Sequence, residues 1–277
     1  MNTNKAMELA RGEYLMLCDH DDTLEPDALF EIVKAINDQD ADVIYTDEDK
    51  VSMDGQHYFD PHFKSDFNLF RFRDNNYICH IFAVKRQVAE QAGYFRKEFD
   101  GSQDFDFIFR CCEKAEKIVH IPKVLYHWRC HMDSTAADPE SKAYAFEAGR
   151  KAVEEHYKRM GIPAKVEMTE RPGWYRSRLE IQGNPMISVI IPNKDHTEDL
   201  ELCLSSMAKR TSYENYEVLI VENNSEEKET FAYYEKLHER YPRVRVLTWG
   251  KKSSIIPPSI IFAAEQAKGE YLLFFEQ

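Results

Sequence analysis

The sequence has no apolar run of about 20 residues, the length that a membrane-spanning helix needs. Residues 2–12 are polar and helix-like, so they lack the pattern of a signal peptide. Basic residues are also in the minority, since 36 Lys and Arg against 49 Asp and Glu give a formal charge of −13. A nucleic-acid binder needs a basic face that neutralises phosphates, and we therefore expect no nucleic-acid partner. A small ligand that carries phosphate remains compatible, because a bound metal ion reverses the local charge.

Cysteine is scarce, and the six thiols form no C-x-x-C pair. A disulfide framework or a zinc site is therefore not expected, and a reducing cytosol is the expected compartment. The sequence also lacks a G-x-G-x-x-G loop, so it does not indicate a nicotinamide dinucleotide site. What is present is a globular composition, 43% hydrophobic and 31% charged, and 277 residues allow one large domain or two ordinary ones.

The most informative stretch is Gly12–Asp22, in which a short apolar run ends in a group of carboxylates. Residues 14–18 (YLMLC) predict a parallel strand buried on both faces. Asp19, Asp21 and Asp22 follow directly, where open parallel sheets bind their ligands. A hard divalent cation, held by one or two carboxylates and by substrate phosphates, would relieve the repulsion among them. The structural alternative is an acidic turn whose Asp residues cap the helix that follows. The local pattern leaves both interpretations open.

Two further acidic segments adjoin predicted elements. A helix over 26–37 and a strand over 42–45 precede Asp47–Lys50, and this β–α–β order suggests a doubly wound sheet. A later helix carries Asp104 and Asp106 in its first turn. Carboxylates there favour the helix dipole, whereas the catalytic interpretation makes one of them a base. The local pattern does not separate these roles.

The sequence pattern changes after a long predicted helix over 141–160. Residues 164–186 are rich in turn residues and favour a linker. Apolar strand candidates then alternate with helical patterns, which favours a Rossmann-like parallel sheet. The strand candidates are 188–191, 218–221, 244–247 and 271–275.

The last stretch of the chain repeats the first without a gap. Residues 263–277 (AAEQAKGEYLLFFEQ) align with residues 6–20 (AMELARGEYLMLCDH), at a shift of 269 − 12 = 257 residues. The second copy ends where the acids of the first begin, so the chain starts within one unit and ends within the next. We therefore expect two incomplete half-domains, residues 1–163 and 187–277, joined by the linker at 164–186.

Several ordered motifs agree on one family. The segments SVIIPNKD, YEVLIVENNS and GEYLL begin at residues 188, 216 and 269, and DEDK, FDGSQDFD and YHWR begin at residues 47, 99 and 126. The first three resemble the nucleotide-sugar-binding half of family 2 glycosyltransferases, and the last three resemble the acceptor half. GEYLMLCDHDD, from residue 12, resembles the D-x-D stretch of the same family. Within this family, the motifs resemble those of bacterial tandem-domain enzymes of rhamnan, O-antigen and related polysaccharide synthesis. The resemblance implies the α/β fold called GT-A, a Rossmann-like sheet with an acceptor region.

The resemblance also implies roles for residues in the first half. Asp19 and Asp21 would form the D-x-D pair, touching the sugar nucleotide and a Mg²⁺ or Mn²⁺ on its diphosphate. His127 or His131 would reach the metal or the diphosphate. Asp104 would be the general base of an inverting transfer, preceded by Gln where the family usually has Glu. Such chemistry needs a carboxylate to take the proton of the acceptor hydroxyl and a metal to stabilise the leaving diphosphate.

In the second half, the resemblance places Asn193, Asp195 and Glu222 around the nucleotide base and ribose, with Glu222 standing where Asp is commoner. The implied acceptor is a saccharide or lipid-linked saccharide that grows into a cell-surface polysaccharide. The implied location is the cytoplasm, with peripheral association at the inner face of the cell membrane.

Two other interpretations stay open. The chain could be a non-catalytic fragment of a tandem enzyme, acting only as a folding or interaction module. It could also be a metal phosphoesterase, although His-rich companion motifs are missing. If the halves are truncated, we expect the isolated chain to be marginally stable, to self-associate and to lack transferase activity.

Overall fold

The computed structural model describes residues 2–130, 143–250 and 257–275. The chain divides into two compact units, unit 1 (Met1–Glu180) and unit 2 (Ile181–Gln277). No helix in the described ranges is both long and apolar enough to span a bilayer.

Unit 1 is built around a mixed six-stranded sheet. Its helices are α1 (Asn2–Leu9), α2 (Ala28–Gln39), α3 (Leu69–Asp74), α4 (Arg86–Ala92), α5 (Gln103–Cys112) and α6 (Ala143–Arg159). The sheet strands are β1 (Tyr14–Leu17), β2 (Thr23–Leu24), β3 (Val43–Val51), β4 (Tyr58–His62), β5 (Phe82–Lys85) and β6 (Ile118–Arg129). The order is β1-β5-β3-β6-β2, and β4 pairs with β3. β3 and β6 run parallel, and the other pairings are antiparallel.

The sheet of unit 1 separates two apolar layers, because successive residues of a strand face opposite sides. On β3, Val43 and Tyr45 belong to the layer that contains α4, α5 and α6. Ile44, between them, packs with Ile32 of α2 on the other side. The acidic end of β3 and the loop after β1 are thus held on a sheet that is covered on both faces.

The pairing of β1 differs from the prediction of a parallel strand buried on both faces. β1 pairs antiparallel with β5, with Leu15 opposite Val84 and Leu17 opposite Phe82, and it forms the edge of the sheet. Of its four residues, Leu15 is buried and the others are half-buried. An uninterrupted apolar run looks the same in either strand direction, so the local sequence did not carry the orientation.

The first part of the predicted linker, 164–186, has a regular structure instead. It contains a hairpin of β7 (Ala164–Met168) and β8 (Tyr175–Leu179), whose turn includes Gly173. Tyr175 is buried in the core of unit 1, and its hydroxyl donates to the carbonyl of Phe146 on α6 at 3.0 Å. Residues 164–180 therefore belong to unit 1, since the turn residues that suggested a linker connect two packed strands.

Unit 2 is a parallel sheet with helices on both faces. Its strands are β9 (Ile187–Asn193), β10 (Tyr216–Glu222), β11 (Val244–Thr248) and β12 (Tyr271–Phe274), and its helices are α7 (Thr197–Arg210), α8 (Lys228–Arg240) and α9 (Pro257–Gln266). The strand order is β11-β10-β9-β12, and all three pairings are parallel. α7 and α8 pack on one face and α9 on the other. In chain order this is the 3-2-1-4 arrangement of a Rossmann-like sheet, so that prediction is confirmed.

The two copies of the repeated strand, β1 and β12, have different neighbours. β12 pairs parallel with β9, with Leu273 opposite Val189, whereas β1 pairs antiparallel with β5. Each copy ends its own sheet. All four residues of β12 are exposed, and Leu273 is 47% exposed. The equivalent strand is therefore paired antiparallel in unit 1 and parallel in unit 2.

Candidate functional site

The loop after β1 leaves two acids accessible and uses a third to hold itself on the sheet. Asp22 accepts a hydrogen bond from the hydroxyl of Tyr126 and another, at 2.7 Å, from a backbone N–H of β6. The side chains of Asp19 and Asp21 are 67% and 34% exposed. α2 begins only at Ala28, and its first turn receives no side-chain cap. The capping alternative therefore does not describe these acids.

The antiparallel pairing of β1 brings a histidine to Asp19. Because Leu17 lies opposite Phe82, the residues after β1 run beside the residues before β5. His80 Nε2 is 3.8 Å from Asp19 Oδ2. The imidazole stacks on the ring of Tyr126, with centroids 4.7 Å apart and an interplanar angle of 9°. His80 thus forms a wall of the acidic loop.

Asp104 lies in the first turn of α5, half-buried, and accepts a hydrogen bond from Asn76 Nδ2 at 2.9 Å. Burial raises the pKa of its carboxyl, although backbone N–H groups, the charge of His80 and the Asn76 hydrogen bond oppose the rise. Burial alone would lower the pKa of His80, but neighbouring anions, among them Asp19 and Asp104, raise it. One imidazole therefore lies within electrostatic reach of both candidate carboxylates.

The structure distinguishes the roles of Asp104 and Asp106, which the local sequence left open. Asp106 is fully buried between two guanidinium groups: Arg96 Nε donates at 3.1 Å and Arg110 Nε at 3.0 Å. A carboxylate enclosed in this way is part of the packing of α5. Gln103 is also occupied, because its Oε1 accepts a backbone N–H of the preceding turn at 2.8 Å. Asp104 is left as the candidate base of this helix.

Glu48 on β3 anchors His80 from inside the unit. Its Oε2 accepts the backbone N–H of His80 at 3.1 Å, and its Oε1 is 3.2 Å from His62 Nδ1. Lys64 Nζ lies 3.4 Å from Oε2. Burial alone would raise the pKa of Glu48, but the hydrogen bonds of His62 and His80 and the charge of Lys64 lower it well below its ordinary value. Glu48 is therefore an anion at neutral pH.

The two histidines proposed from sequence have different outcomes. His127 is buried on β6, with Nδ1 at 2.5 Å from Asp49 Oδ1 and Nε2 at 3.2 Å from Glu25 Oε1. Both ring nitrogens face carboxylate oxygens, so neither offers a free lone pair to a metal. His127 therefore does not enter the metal proposal below. His131 lies outside the described residues.

The donor set suits a hard cation that a substrate helps to hold. Within the described ranges no group of three or more His, Cys, Asp and Glu side chains is arranged to hold a metal ion. Mg²⁺ and Mn²⁺ commonly take one or two protein carboxylates and complete their shell with phosphate oxygens and water. The accessible carboxylates of Asp19 and Asp21 fit that kind of binding.

In unit 2, two of the predicted residues end neighbouring strands. Asn193 ends β9 and is buried, donating from Nδ2 to the hydroxyl of Tyr234 at 2.7 Å. Glu222 ends β10 and is buried, accepting the N–H of Ser225 at 2.5 Å. The strand order reverses beside β9, and ligands of open α/β sheets bind at the carboxyl ends of strands at that point.

Asp195 has a structural use in unit 2. Its carboxylate accepts the N–H groups of Glu226 and Glu227 at 3.0 Å and the hydroxyl of Thr230 at 3.2 Å, around the beginning of α8. Burial would raise the pKa of Asp195, but these hydrogen bonds lower it. The carboxylate thus fixes the start of α8, and a contact with the nucleotide stays a prediction.

Sequence reasoning missed His80 and the role of Glu48 and Lys64 beneath it. His80 precedes a strand in an irregular, aromatic-rich segment, and its place beside Asp19 depends on the antiparallel register of β5 with β1. The one local signal was a polar residue directly before an apolar strand. The pairing itself could not be read from either segment alone.

The fold and these motifs define a class of protein. The family model for glycosyl transferase family 2 matches residues 2–97 and 188–277. The chain belongs to this family, and the predicted α/β class of GT-A type is thereby confirmed. The two matched segments fall in unit 1 and unit 2 respectively.

Two curated proteins are similar to this chain over most of its length. The chain is 42% identical over 249 residues to the uncharacterized protein y4gI of Sinorhizobium fredii (strain NBRC 101917 / NGR234), covering 88% of this chain and 27% of that protein. It is 36% identical over 273 residues to the O-antigen biosynthesis protein RfbC of Myxococcus xanthus, covering 98% of this chain and 21% of that protein. The chain thus spans about a quarter of the length of these curated relatives.

Solved structures are more distant. The structure of S. aureus TarS 1–349 is 17% identical, with a TM-score of 0.38, and the match covers 56% of this chain and 50% of that one. The mannosyltransferase PcManGT from Pyrobaculum calidifontis, in complex with GDP-Man and Mn²⁺, is 19% identical, with a TM-score of 0.29, and the match covers 32% of this chain and 26% of that one.

Proposed function

We propose that the protein takes part in the transfer of a sugar from a nucleotide-sugar donor to a saccharide or lipid-linked saccharide of a cell-surface polysaccharide, with inversion at the sugar carbon. Membership of the family and the similarity to an O-antigen biosynthesis protein support this activity. The observation that carries it furthest is the acidic loop of unit 1, where the accessible carboxylate of Asp19 lies 3.8 Å from Nε2 of His80. Asp104, a half-buried acid that Asn76 holds through a hydrogen bond, is the second candidate acid of this unit.

Asp104 has the properties of the proton acceptor in this proposal. A sugar hydroxyl is a poor nucleophile until its proton is removed, and a carboxylate with a raised pKa removes it more readily. Asn76 holds the side chain through a hydrogen bond of 2.9 Å. A single inverting displacement needs no covalent nucleophile on the protein, so one base is sufficient.

Asp19 and Asp21 would hold Mg²⁺ or Mn²⁺ together with the donor diphosphate. When bound, the metal would stabilise the charge that develops on the leaving nucleoside diphosphate. The chain's own contribution is to fix the acidic loop, and Asp22 does so through Tyr126. Unit 2 would be the nucleotide-sugar-binding half of a second glycosyltransferase domain, in which the carboxyl ends of β9 and β10, with Asn193 and Glu222, would take the nucleoside of that domain's own donor, and Asp195 would shape the neighbouring loop. The location that fits this activity is the cytoplasm, with peripheral association at the inner face of the cell membrane.

The second candidate function is a non-catalytic folding or interaction module. The observation that favours it is β12, a wholly apolar strand whose four residues are all exposed. Such a strand has the character of a docking edge. On this alternative the acidic loop would have no ligand.

Donor binding, measured in the full-length protein, tests the proposal. Isothermal calorimetry with UDP, GDP and ADP, each with and without Mn²⁺, should show binding that depends on Mn²⁺ for at least one nucleotide. Asp21→Asn should weaken that binding about tenfold or more, because it removes a charged oxygen ligand. Asp38→Asn, the same change on the exposed face of α2, is the matched control and should bind normally. Equal affinity of the wild type and Asp21→Asn, or binding of no nucleotide, would reject the proposal in favour of the module.

A further inference from the structure

Two buried charged residues, Lys64 and Glu48, hold the backbone at His80. Lys64 Nζ donates to the carbonyls of Ile78 and His80 at 2.6 and 2.5 Å, and its side chain is fully buried. Glu48 accepts the backbone N–H of His80 on the same side. Burying an ammonium and a carboxylate costs several kcal/mol per ion unless each is well paired. This pair holds both polar groups of the His80 backbone, so the backbone position of His80 is fixed from within the unit.

The ring of His80 is held mainly by stacking. It lies almost parallel on Tyr126, while its buried Nδ1, 3.4 Å from Glu48 Oε2, makes no hydrogen bond to a described residue. The Tyr126 hydroxyl accepts the N–H of Asp19 at 3.2 Å and donates to Asp22. A single tyrosine thus supports the imidazole with its face and both ends of the acidic loop with its hydroxyl.

The free edge of this ring points at the acidic loop. With Nδ1 toward Glu48, Nε2 is the atom left to meet Asp19, at 3.8 Å from Oδ2. Asp19 is itself 67% exposed, and among the described residues the side chain of His80 lies beside its carboxylate. A carboxylate that binds a cation works best when a second residue orients it.

We propose that His80 is a positioning residue that orients the Asp19 carboxylate for a divalent cation and a nucleoside diphosphate, with Glu48, Lys64 and Tyr126 as its support. The proposal rests on the proposed function for the identity of the ligand. The contact between His80 and Asp19 does not depend on it. The alternative is a purely structural role, in which His80 only fills space between β5 and β6.

Calorimetry with Mn²⁺ and the nucleotide that binds best tests the functional part. His80→Ala should weaken Mn²⁺-dependent binding about tenfold, which is the lower end of the effect of removing a residue that orients a metal ligand. His62→Ala is the matched control, because His62 also contacts Glu48, at 3.2 Å, but lies on β4. It should bind as the wild type does. His80→Gln, which keeps a donor of similar reach, should recover part of the loss.

The outcomes are separable. Wild-type affinity in His80→Ala, an equal loss in His62→Ala, or equal losses in the Ala and Gln variants would each overturn the proposal, the last because ring packing alone would then explain the effect. Absence of Mn²⁺-dependent binding in the wild type would reject the proposed function instead. In that case the contact is tested by imidazole ¹H–¹⁵N NMR, with the His80 signals assigned from His80→Gln. They should shift in Asp19→Asn and stay in place in Asp38→Asn, and unchanged signals in Asp19→Asn would overturn the proposal.

Discussion

A buried chain of charged and polar groups joins three helices of unit 1 and depends on Glu113, which directly follows α5. His156 Nδ1 is 2.7 Å from Glu113 Oε1, and Arg159 donates to the same carboxylate at 2.7 and 2.8 Å. On the other side of the imidazole, Arg73 Nε donates to His156 Nε2 at 3.1 Å. Arginine can only donate, so His156 accepts at Nε2, carries its proton on Nδ1 and donates to Glu113. We therefore expect Glu113→Gln to destabilise unit 1.

The size of the stability loss depends on which hydrogen bonds the glutamine side chain of Glu113→Gln can still make. Glutamine keeps the shape and one acceptor oxygen, so His156 or Arg159 retains a partner, but the charge that strengthens all three contacts is lost. Hydrogen bonds to a charged group contribute about 1.5–3 kcal/mol each. The side chain of Arg159 is 26% exposed, which weakens its share. We expect a loss of about 2 kcal/mol in the free energy of unfolding at pH 7.

The loss should depend on pH. Burial alone would raise the pKa of Glu113, but the hydrogen bonds of His156 and Arg159 lower it below its ordinary value. A carboxyl whose pKa is lower in the folded chain than in the unfolded chain, about 4.3, contributes stability above that value. This contribution disappears as the pH falls from about 4.3 toward the folded pKa. The difference between wild type and Glu113→Gln should therefore shrink below about pH 4.3.

Urea unfolding followed by tryptophan fluorescence measures this difference. A Trp249→Phe background leaves Trp128 and Trp174, which both lie in unit 1, as the reporters. The matched control is Glu155→Gln, because Glu155 forms an exposed pair with a lysine one turn along α6 and should change stability by less than about 0.5 kcal/mol. An equal loss at pH 7 and at pH 3.5, or no loss at pH 7, would refute the reasoning.

Two further predictions concern packing. A Cβ at Gly149 of α6 would lie 2.1 Å from the Tyr175 hydroxyl oxygen, so Gly149→Ala should lower stability by about 1–3 kcal/mol despite the better helix propensity of alanine, and the loss should shrink in a Tyr175→Phe background. Urea unfolding of the four variants measures the coupling, and additive effects would contradict the contact. On β12, Leu273→Glu should reduce self-association of the chain in analytical ultracentrifugation, whereas the control Leu202→Glu, on a side chain of α7 that is 68% exposed, should not. A wild-type chain that stays monomeric would contradict this prediction.

Local patterns predicted the elements well and their partners poorly. The strands of unit 2 are buried apolar runs separated by helical patterns, and this arrangement has one common solution, the parallel sheet that β9, β10 and β11 form. β1 has the same composition, yet it pairs antiparallel with β5. The difference lies in the partner, which is distant in sequence. The hairpin of β7 and β8 was missed for a related reason, since turn residues occur in hairpins and in linkers alike.

The residues of the candidate site also fall into two groups, those that the sequence predicted and those that only the structure showed. The acidic loop and the helix with Asp104 were found from sequence, because both motifs are contiguous. That Asp106 is structural depends on Arg96 and Arg110, which come from a different turn and a later part of the helix. His80 depends on strand register. Residues that act across elements therefore required the structure.

In the proposed function, Asp104 takes the proton of the acceptor in a sugar transfer whose donor is held elsewhere in the site. The most direct test is to measure the transfer rate and the donor affinity together in the full-length protein, for the wild type, for Asp104→Asn and for the control Asp100→Asn, an exposed acid of the same motif. We expect Asp104→Asn to lower kcat by at least about 100-fold, with a donor Kd within about threefold of the wild type, because only proton removal is lost. Turnover of Asp104→Asn within a few-fold of the wild type would contradict the account.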